Sequence, residues 1–381
     1  MRPFKAASIF LALAFVAPVA MAQDQSQTHD LAAMVDEVFA ANEAVALGAA
    51  IIDVNGVVEL AVAGTRASGS DVLVTVDDLW HIGSDTKAMT ATLLARLDAQ
   101  GVLDLDATLV SLLPDLADDM HDGYGQATLP QLLTHGTGVA PNPGLVRMFQ
   151  YRASSRPMPE QRLEIARRAL GQEPAFTPGT GYQYSNIGYM IAGVIAETQT
   201  GQAWEDLIAA ELFTPLGMSS AGFGAPGTED EMDQPRGHTS FIMGKSISGV
   251  GRSGDNPLAF GPAGTVHLSL EDWARFGAEQ LRGAQGTSDY LSADLFEQLH
   301  TPLSNDESYA MGWGVARVET ATGMQTSLRH AGSNTMWFAF IDLRVEPGLG
   351  ILVVTNDGTE DGQAAARDLT LRLRAEVFGE E

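Results

Sequence analysis

The stretch Leu79-Trp80-His81-Ile82-Gly83-Ser84-Asp85-Thr86-Lys87-Ala88-Met89 passes from an apolar segment through one glycine into a helical pattern. Beyond Ser84, Met89, Leu93 and Leu97 recur every fourth residue, and Gly101 stands where a C-terminal cap belongs. This spacing predicts a helix beginning near Ser84. A serine and a lysine three apart at a helix start share one face, with Cβ atoms about 5–6 Å apart. A neutral lysine there can take the serine proton, provided burial lowers its pKa. The helix N-terminus adds a field that favours the oxyanion of an acyl transfer. The chain has three lysines, Lys5, Lys87 and Lys245, and Ser-x-x-Lys occurs once. Taken alone, the motif also fits Ser84 as a helix cap with Lys87 exposed in the first turn, although a cation is poorly placed there.

Working outward, the N-terminal side predicts a helix at about 31–42 capped by Asp30. Two β-rich runs follow, Ala46–Val54 and Val57–Ala63, joined at Asn55-Gly56, a pair suited to a tight hairpin. From Leu103 to about Leu299, helix-like segments alternate with loops rich in glycine and proline. Gln161–Leu170, Ile187–Thr198, Trp204–Leu212 and Leu270–Leu281 are examples. Strand patterns return at about Met311–Glu319, Gln325–His330, Thr335–Leu343 and Gly350–Thr355, before an amphipathic helix at about Asp361–Val377. Strands at both ends and helices between them predict a mixed α/β (α+β) fold: one sheet built from the two chain ends, flanked by helices, with an all-helical region inserted. The sheet-bearing part would span about 31–83 and 305–381, and the helical part about 84–304. A cleft between two such parts is a usual place for a small-molecule site.

Two further stretches carry chemistry. Tyr184-Ser185-Asn186 is the one Tyr-x-Asn among seven tyrosines. A tyrosine beside a lysine can ionise and relay protons, and an asparagine can bind a substrate amide. The same residues also fit a plain turn, with Ser185 or Asn186 capping the next helix and the Tyr184 hydroxyl in water. His330-Ala331-Gly332-Ser333 ends a predicted strand. Gly332 would let a backbone approach closely, so that the N–H groups of Ser333 and Ser84 could face one oxygen. His330 could donate to a substrate carboxylate or to a Tyr184–Lys87 proton network, whereas its neighbour Arg329 should face the opposite side of the sheet. A turn with a surface histidine is the alternative.

Composition removes other classes. The chain has 381 residues, 45% apolar and 18% charged, with no cysteine. Disulfides, Cys-ligated metals and thiol nucleophiles are therefore excluded. The excess of 48 acidic over 22 basic residues, a formal charge of −26, opposes binding to nucleic acid or anionic lipid. The eight histidines show no metal-ligand spacing, and there is no Gly-x-Ser-x-Gly elbow. His135-Gly136-Thr137-Gly138 reads as a glycine-rich turn. Met311-Gly312-Trp313-Gly314 and Met336-Trp337-Phe338 read as core strand.

At the N-terminus, Arg2 and Lys5 precede an apolar run from about Ala6 to Ala17, then Pro18 and Ala20-Met21-Ala22. This pattern predicts a secretory signal peptide at 1–22, cleaved after Ala22. The run falls short of the about 20 apolar residues of a membrane span. The expectation is an exported protein, periplasmic or secreted, without a membrane anchor.

Taken together and in order, Ser84-x-x-Lys87, Tyr184-x-Asn186 and His330-Ala331-Gly332 resemble the three active-site motifs of the serine β-lactamase and penicillin-binding-protein superfamily. The resemblance is closest to the branch holding class C β-lactamases, D-Ala-D-Ala carboxypeptidases, D-aminopeptidases and related esterases. Flanking text agrees at Leu132-Leu133-Thr134-His135, Thr177-Pro178-Gly179, Pro215-Leu216-Gly217-Met218 and Gly332-Ser333-Asn334-Thr335, over about residues 31–378. The resemblance implies a β-lactamase/transpeptidase-like fold with an antiparallel sheet, and no metal or organic cofactor. It implies Ser84 as nucleophile, Lys87 and Tyr184 as acid/base, and Asn186 as a ligand for the substrate amide. His330, Gly332 and Ser333 would form the third substrate-binding stretch, with the Ser84 and Ser333 N–H groups as the oxyanion hole.

The implied reaction is hydrolysis of an amide, lactam or ester in a small molecule or peptide through an acyl-enzyme. D-amino-acid peptidase or carboxypeptidase, β-lactamase and esterase all stay open. A penicillin-binding module that acylates with little turnover is the alternative. One departure bears on this choice: His330 stands where class C β-lactamases carry a lysine. A histidine, with an ordinary pKa of about 6.5, is mostly neutral at pH 7, which weakens the argument for efficient β-lactam hydrolysis. Neutral Lys87 with ionised Tyr184 would make activity climb above neutral pH.

Overall fold

The structure is a computed structural model describing residues 29–241, 244–304 and 308–380. The expected signal peptide lies outside the described residues. Asp30 caps helix α1 (Leu31–Ala41), its carboxylate accepting from the Ala33 N–H. Strands β1 (Ala46–Asp53) and β2 (Gly56–Gly64) then form the hairpin expected around Asn55-Gly56. Helix α2 (Thr86–Ala99) follows the Ser84 turn, helix α3 (Asn186–Thr200) follows Tyr184-Ser185, and helix α4 (Leu270–Ala284) closes the middle of the chain. The C-terminal part supplies β3 (Gly314–Thr320), β4 (Gly323–Ser333), β5 (Phe338–Arg344), β6 (Leu349–Thr355) and helix α5 (Glu360–Phe378).

The six strands lie in the order β2-β1-β6-β5-β4-β3 with every neighbour antiparallel. The expected sheet from both chain ends is thus the observed one, closed where β1 pairs with β6, Leu47 opposite Thr355 and Ile51 opposite Ile351. Period-two alternation explains why these two strands are apolar throughout. Leu47, Ala49, Ile51, Ile351 and Val353 face α1 and α5, whose Val35, Val38, Ala366 and Leu369 cover them. Ala46, Ala50, Ile52, Leu352 and Val354 face the other way, into the large core with Leu270, Trp273 and Phe276 of α4. Each such Val, Leu or Ile contributes about 1.5–3 kcal/mol by leaving water.

The middle of the chain is mostly helical, as expected, but it also carries strands that the sequence pattern did not reveal. Leu79–His81, Val266–Ser269 and Gly222–Phe223 form a small sheet, and His238–Phe241 pairs with Gly244–Ile247. At two to four residues each, these strands are too short to show alternation. The small sheet sets the position of the Ser84 turn, since Leu79–His81 leads directly into it. Among the described residues no helix is long and apolar enough to cross a membrane.

Candidate active site

Ser84 stands in a short 3-10 turn, Gly83–Asp85, at the head of α2, and its side chain caps nothing. The turn is fixed from behind. The Gly83 N–H donates to His81 Nδ1 at 3.1 Å, and His81 Nε2 meets Asp255 Oδ2 at 2.8 Å. Because Nδ1 accepts, the imidazole proton sits on Nε2 and is donated to Asp255. Asn334 Nδ2 donates to the second Asp255 oxygen at 2.9 Å, tying the Ser333-Asn334 stretch to the same carboxylate.

Gly83 and Gly332 allow the α2 head and the end of β4 to meet backbone to backbone. A Cβ on Gly332 would stand 1.8 Å from the Ile82 carbonyl oxygen and 2.9 Å from Ser84 N. Gly83 has φ +51°, and a Cβ there would stand 2.4 Å from Ser333 N. Only glycine fits either position, and the Ser84 and Ser333 amides are thereby carried on facing segments.

Lys87 is wholly buried, which removes the reading of an exposed first-turn lysine. Its Nζ reaches Ser84 Oγ at 3.0 Å, Asn186 Oδ1 at 2.8 Å and the Ala263 carbonyl at 2.7 Å. Burial lowers its pKa to about 7, against the opposing pull of Asp85. A neutral amine has two N–H groups and one lone pair. Asn186 Oδ1 and Ala263 O only accept, so they take the two hydrogens, and the lone pair is left for the Ser84 hydroxyl. The Ser84 proton therefore points at Lys87 whenever the amine is neutral.

Tyr184 and Asn186 meet Lys87 at the head of α3. Ser185 caps that helix, its Oγ accepting from the Gly188 N–H at 3.0 Å. Asn186 Nδ2 donates to Asn142 Oδ1 at 2.8 Å, which fixes the amide with its oxygen toward Lys87. The Tyr184 ring lies with its centroid 4.8 Å from Lys87 Nζ, and its hydroxyl faces Ser84. Burial pushes the Tyr184 phenol well above its ordinary range, so it stays protonated near neutral pH. The expected tyrosinate is therefore replaced by a phenol able to donate.

His135 stands behind this tyrosine. Its φ is +63°, its ring is 4.3 Å from that of Tyr184 and 4.8 Å from that of Tyr309, and its Nδ1 accepts from the Ser185 N–H at 3.2 Å. It is buried and held well below its ordinary pKa by burial, with Lys87 and His330 adding to the effect. A neutral imidazole thus positions the Tyr184-Ser185 segment.

His330 lies on β4, three residues before its end, and is 7% exposed. Its Nδ1 meets Asp85 Oδ1 at 3.1 Å and its Nε2 meets the Tyr309 hydroxyl at 2.9 Å. Of the two roles open to it from sequence, donation to a substrate carboxylate or to the Tyr184–Lys87 network, the second is not what the ring's hydrogen bonds show: it bridges Asp85 and Tyr309. Asp85 is wholly buried, and burial raises its pKa to about 6 against the pull of His330 and Lys87.

The three sequence motifs therefore converge: Ser84, Lys87, Tyr184 and Asn186 directly, Gly332 and Ser333 through backbone, His330 through Asp85. Sequence reasoning passed over His135, Tyr309, Asp85 and the Ala263 carbonyl. Asp85 had a signal, as a charged residue inside the Ser-x-x-Lys stretch, and His135 belonged to a flank already noted. A main-chain carbonyl such as that of Ala263 leaves no trace in residue type. Among the described residues no group of three His, Asp or Glu side chains could hold a metal ion.

Comparison with known proteins places the family and the fold. Penicillin-binding protein 4 of Amycolatopsis lactamdurans is 28% identical over 87% of this chain and 86% of its own length. Esterase EstB of Burkholderia gladioli is 27% identical over 79% of this chain and 82% of its own. The D-amino acid amidase of Ochrobactrum anthropi SV3 superposes with a TM-score of 0.70 at 21% identity, covering 92% of this chain and 96% of that one, and shares the fold. The Beta-lactamase family model matches residues 31–376. Over nearly all of its described length, then, the chain belongs to the beta-lactamase family and is a serine hydrolase of that family.

Proposed function

We propose that the protein hydrolyses an amide, lactam or ester through a covalent acyl-enzyme on Ser84, with Lys87 as base and Tyr184 as acid. Neutral Lys87 takes the Ser84 proton as Oγ bonds to the substrate carbonyl carbon. The tetrahedral oxyanion lies against the Ser84 and Ser333 N–H groups, and Asn186 binds the substrate amide or ester with its remaining N–H. As the bond to the leaving group breaks, Tyr184 donates a proton to it and recovers one from Lys87. Water then attacks the acyl carbon, giving its proton to Lys87, and as the ester bond to Ser84 breaks Lys87 returns that proton to Ser84 Oγ, releasing the acid and restoring the neutral amine.

The observation that carries this reading is the set of three partners around Lys87 Nζ, two of which cannot donate. The names of the relatives, a penicillin-binding protein, an esterase and a D-amino acid amidase, support an acyl substrate of this range. Steady-state assays on a chromogenic cephalosporin, a D-Ala-D-Ala peptide and a p-nitrophenyl ester test it. At least one should be turned over, and Ser84→Ala should reduce that rate by a factor of about 10⁴ or more. Unchanged rates in Ser84→Ala would refute the mechanism, and acylation without turnover would favour a binding module. Export is part of the proposal, supported by the pattern of residues 1–22; the mass of the secreted protein should correspond to a chain starting at Gln23.

A further inference from the structure

A substrate carboxylate beside the scissile bond needs a fixed positive charge or an unused donor, and the third motif is where the resemblance would place one. In this chain both ring nitrogens of His330 are already taken. Nδ1 meets Asp85 and Nε2 meets Tyr309. The Tyr309 hydroxyl donates to Nε2 when the imidazole is neutral and accepts from it when the ring is charged. In either state no N–H of His330 is left over.

Asp85 makes the position less welcoming still. Its carboxylate is buried, and its second oxygen, Oδ2, has no hydrogen-bond partner among the described residues. The carboxylate lies one residue from the nucleophile, and its hydrogen bond to His330 uses the ring nitrogen that would otherwise be free for an anion. Arg329, the neighbour of His330 on β4, faces the opposite side of the sheet by strand alternation, and cations on the adjoining elements are engaged. Lys87 serves Ser84, Asn186 and Ala263, and Arg152 donates to the Asp255 carbonyl at 2.6 Å. Arg147 and Arg168, which border a cavity of about 290 Å³ beyond Asn142, both face Glu164.

We infer that Asp85 and Tyr309, by occupying both ring nitrogens of His330, make this hydrolase selective for substrates without a carboxylate next to the scissile bond: uncharged esters and amides. The inference rests on the acyl-enzyme at Ser84 proposed above. Tyr309 is then a specificity-determining residue, acting through His330 rather than on the reacting atoms.

The test compares two acetate esters, of 4-nitrophenol and of 3-carboxy-4-nitrophenol, which differ by one carboxylate on the leaving group. Each rate is divided by that of spontaneous hydrolysis. In the wild type, kcat/KM should favour the uncharged ester by about tenfold or more, the order expected of a like-charge contact. Tyr309→Phe frees Nε2 while Asp85 still holds Nδ1, and Asp85→Asn removes the opposing charge. Each should narrow the preference several-fold, chiefly through KM of the charged ester. Because the readout is a ratio within one variant, a general loss of activity leaves it interpretable. Equal kcat/KM for the two esters in the wild type, or a preference unmoved in both variants, overturns the inference. Hydrolysis that survives Ser84→Ala would instead overturn the acyl-enzyme reading, so the two failures are distinct.

Discussion

Lys87 decides what the site can do at a given pH. Its pKa is lowered to about 7 by burial, and in the proposed mechanism the neutral form is the base, so kcat/KM should rise with pH and level off above a midpoint of about 7. A profile flat between pH 6 and 9 with chemistry rate-limiting would exclude Lys87 as that base. The same burial has a stability consequence. The folded-state pKa lies below the unfolded one, so between about 7 and about 10 the unfolded chain binds the extra proton and stability rises with pH. Relative to Lys87→Met, the wild type should gain on the order of 1 kcal/mol per pH unit across that window, measured by urea denaturation at several pH values. A constant difference would mean that the amine is not titrating inside the fold.

At Gly332, the Cβ of Gly332→Ala would enter the Ile82 carbonyl, so activity should fall by about 100-fold or more as the oxyanion donors separate. Activity within a few-fold of wild type would deny the Ser84 and Ser333 amides that role. Ser84, Lys87, Tyr184 and Asn186 were legible because each is a distinctive side chain at a fixed spacing. The partners of Asp85 and Tyr309 were not, since both meet His330, across 245 and 21 residues of chain; the position of Asp85 inside Ser-x-x-Lys marked it without naming its partner.

Among the elements, α2 departs most from expectation. The four-residue recurrence predicts the helix but marks only Met89, Leu93 and Leu97, whereas eleven of its fourteen residues, Lys87 and three threonines included, are buried. The helix passes through the interior, and two of its buried hydroxyls have carbonyl partners, Thr90 in Pro262 at 2.7 Å across the fold and Thr92 in Ala88 at 2.8 Å within the helix. A stripe read from sequence marks only the most apolar side of a fully covered helix. Behind it, Arg162 joins three helical segments. It is fully buried, with Glu197 at 2.5 Å and Glu205 at 2.8 Å. Removing it strands two carboxylates in the interior, so Arg162→Ala should cost about 3–5 kcal/mol, read from chemical denaturation. A loss below about 1 kcal/mol would show that water reaches the pair. The short strand Leu79–His81 escaped the sequence reading for want of length, although it aims Ser84.

For the whole molecule, the central strand pair β1–β6 joins residues some 300 apart, so the sheet is complete only when the two chain ends have come together. Trp80, Trp204, Trp273, Trp313 and Trp337 are all buried, and they are spread through that one interior. Unfolding should therefore be one transition, with circular dichroism and tryptophan fluorescence coinciding. Two separated transitions would show that the helical middle stands by itself. The gross architecture was legible because strand patterns cluster at the two chain ends. What joins the layers was not legible, because glycine contacts such as that of Gly332 against Ile82 are statements about backbone.

The most direct test of the acyl-enzyme is intact-protein mass spectrometry, with peptide mapping, of the wild type quenched in acid during turnover of a p-nitrophenyl ester. A mass increase equal to the acyl group, mapped to Ser84 and absent from Ser84→Ala, is the outcome that the Lys87–Ser84 geometry requires. Turnover without any adduct, together with full activity in Ser84→Ala, would contradict it.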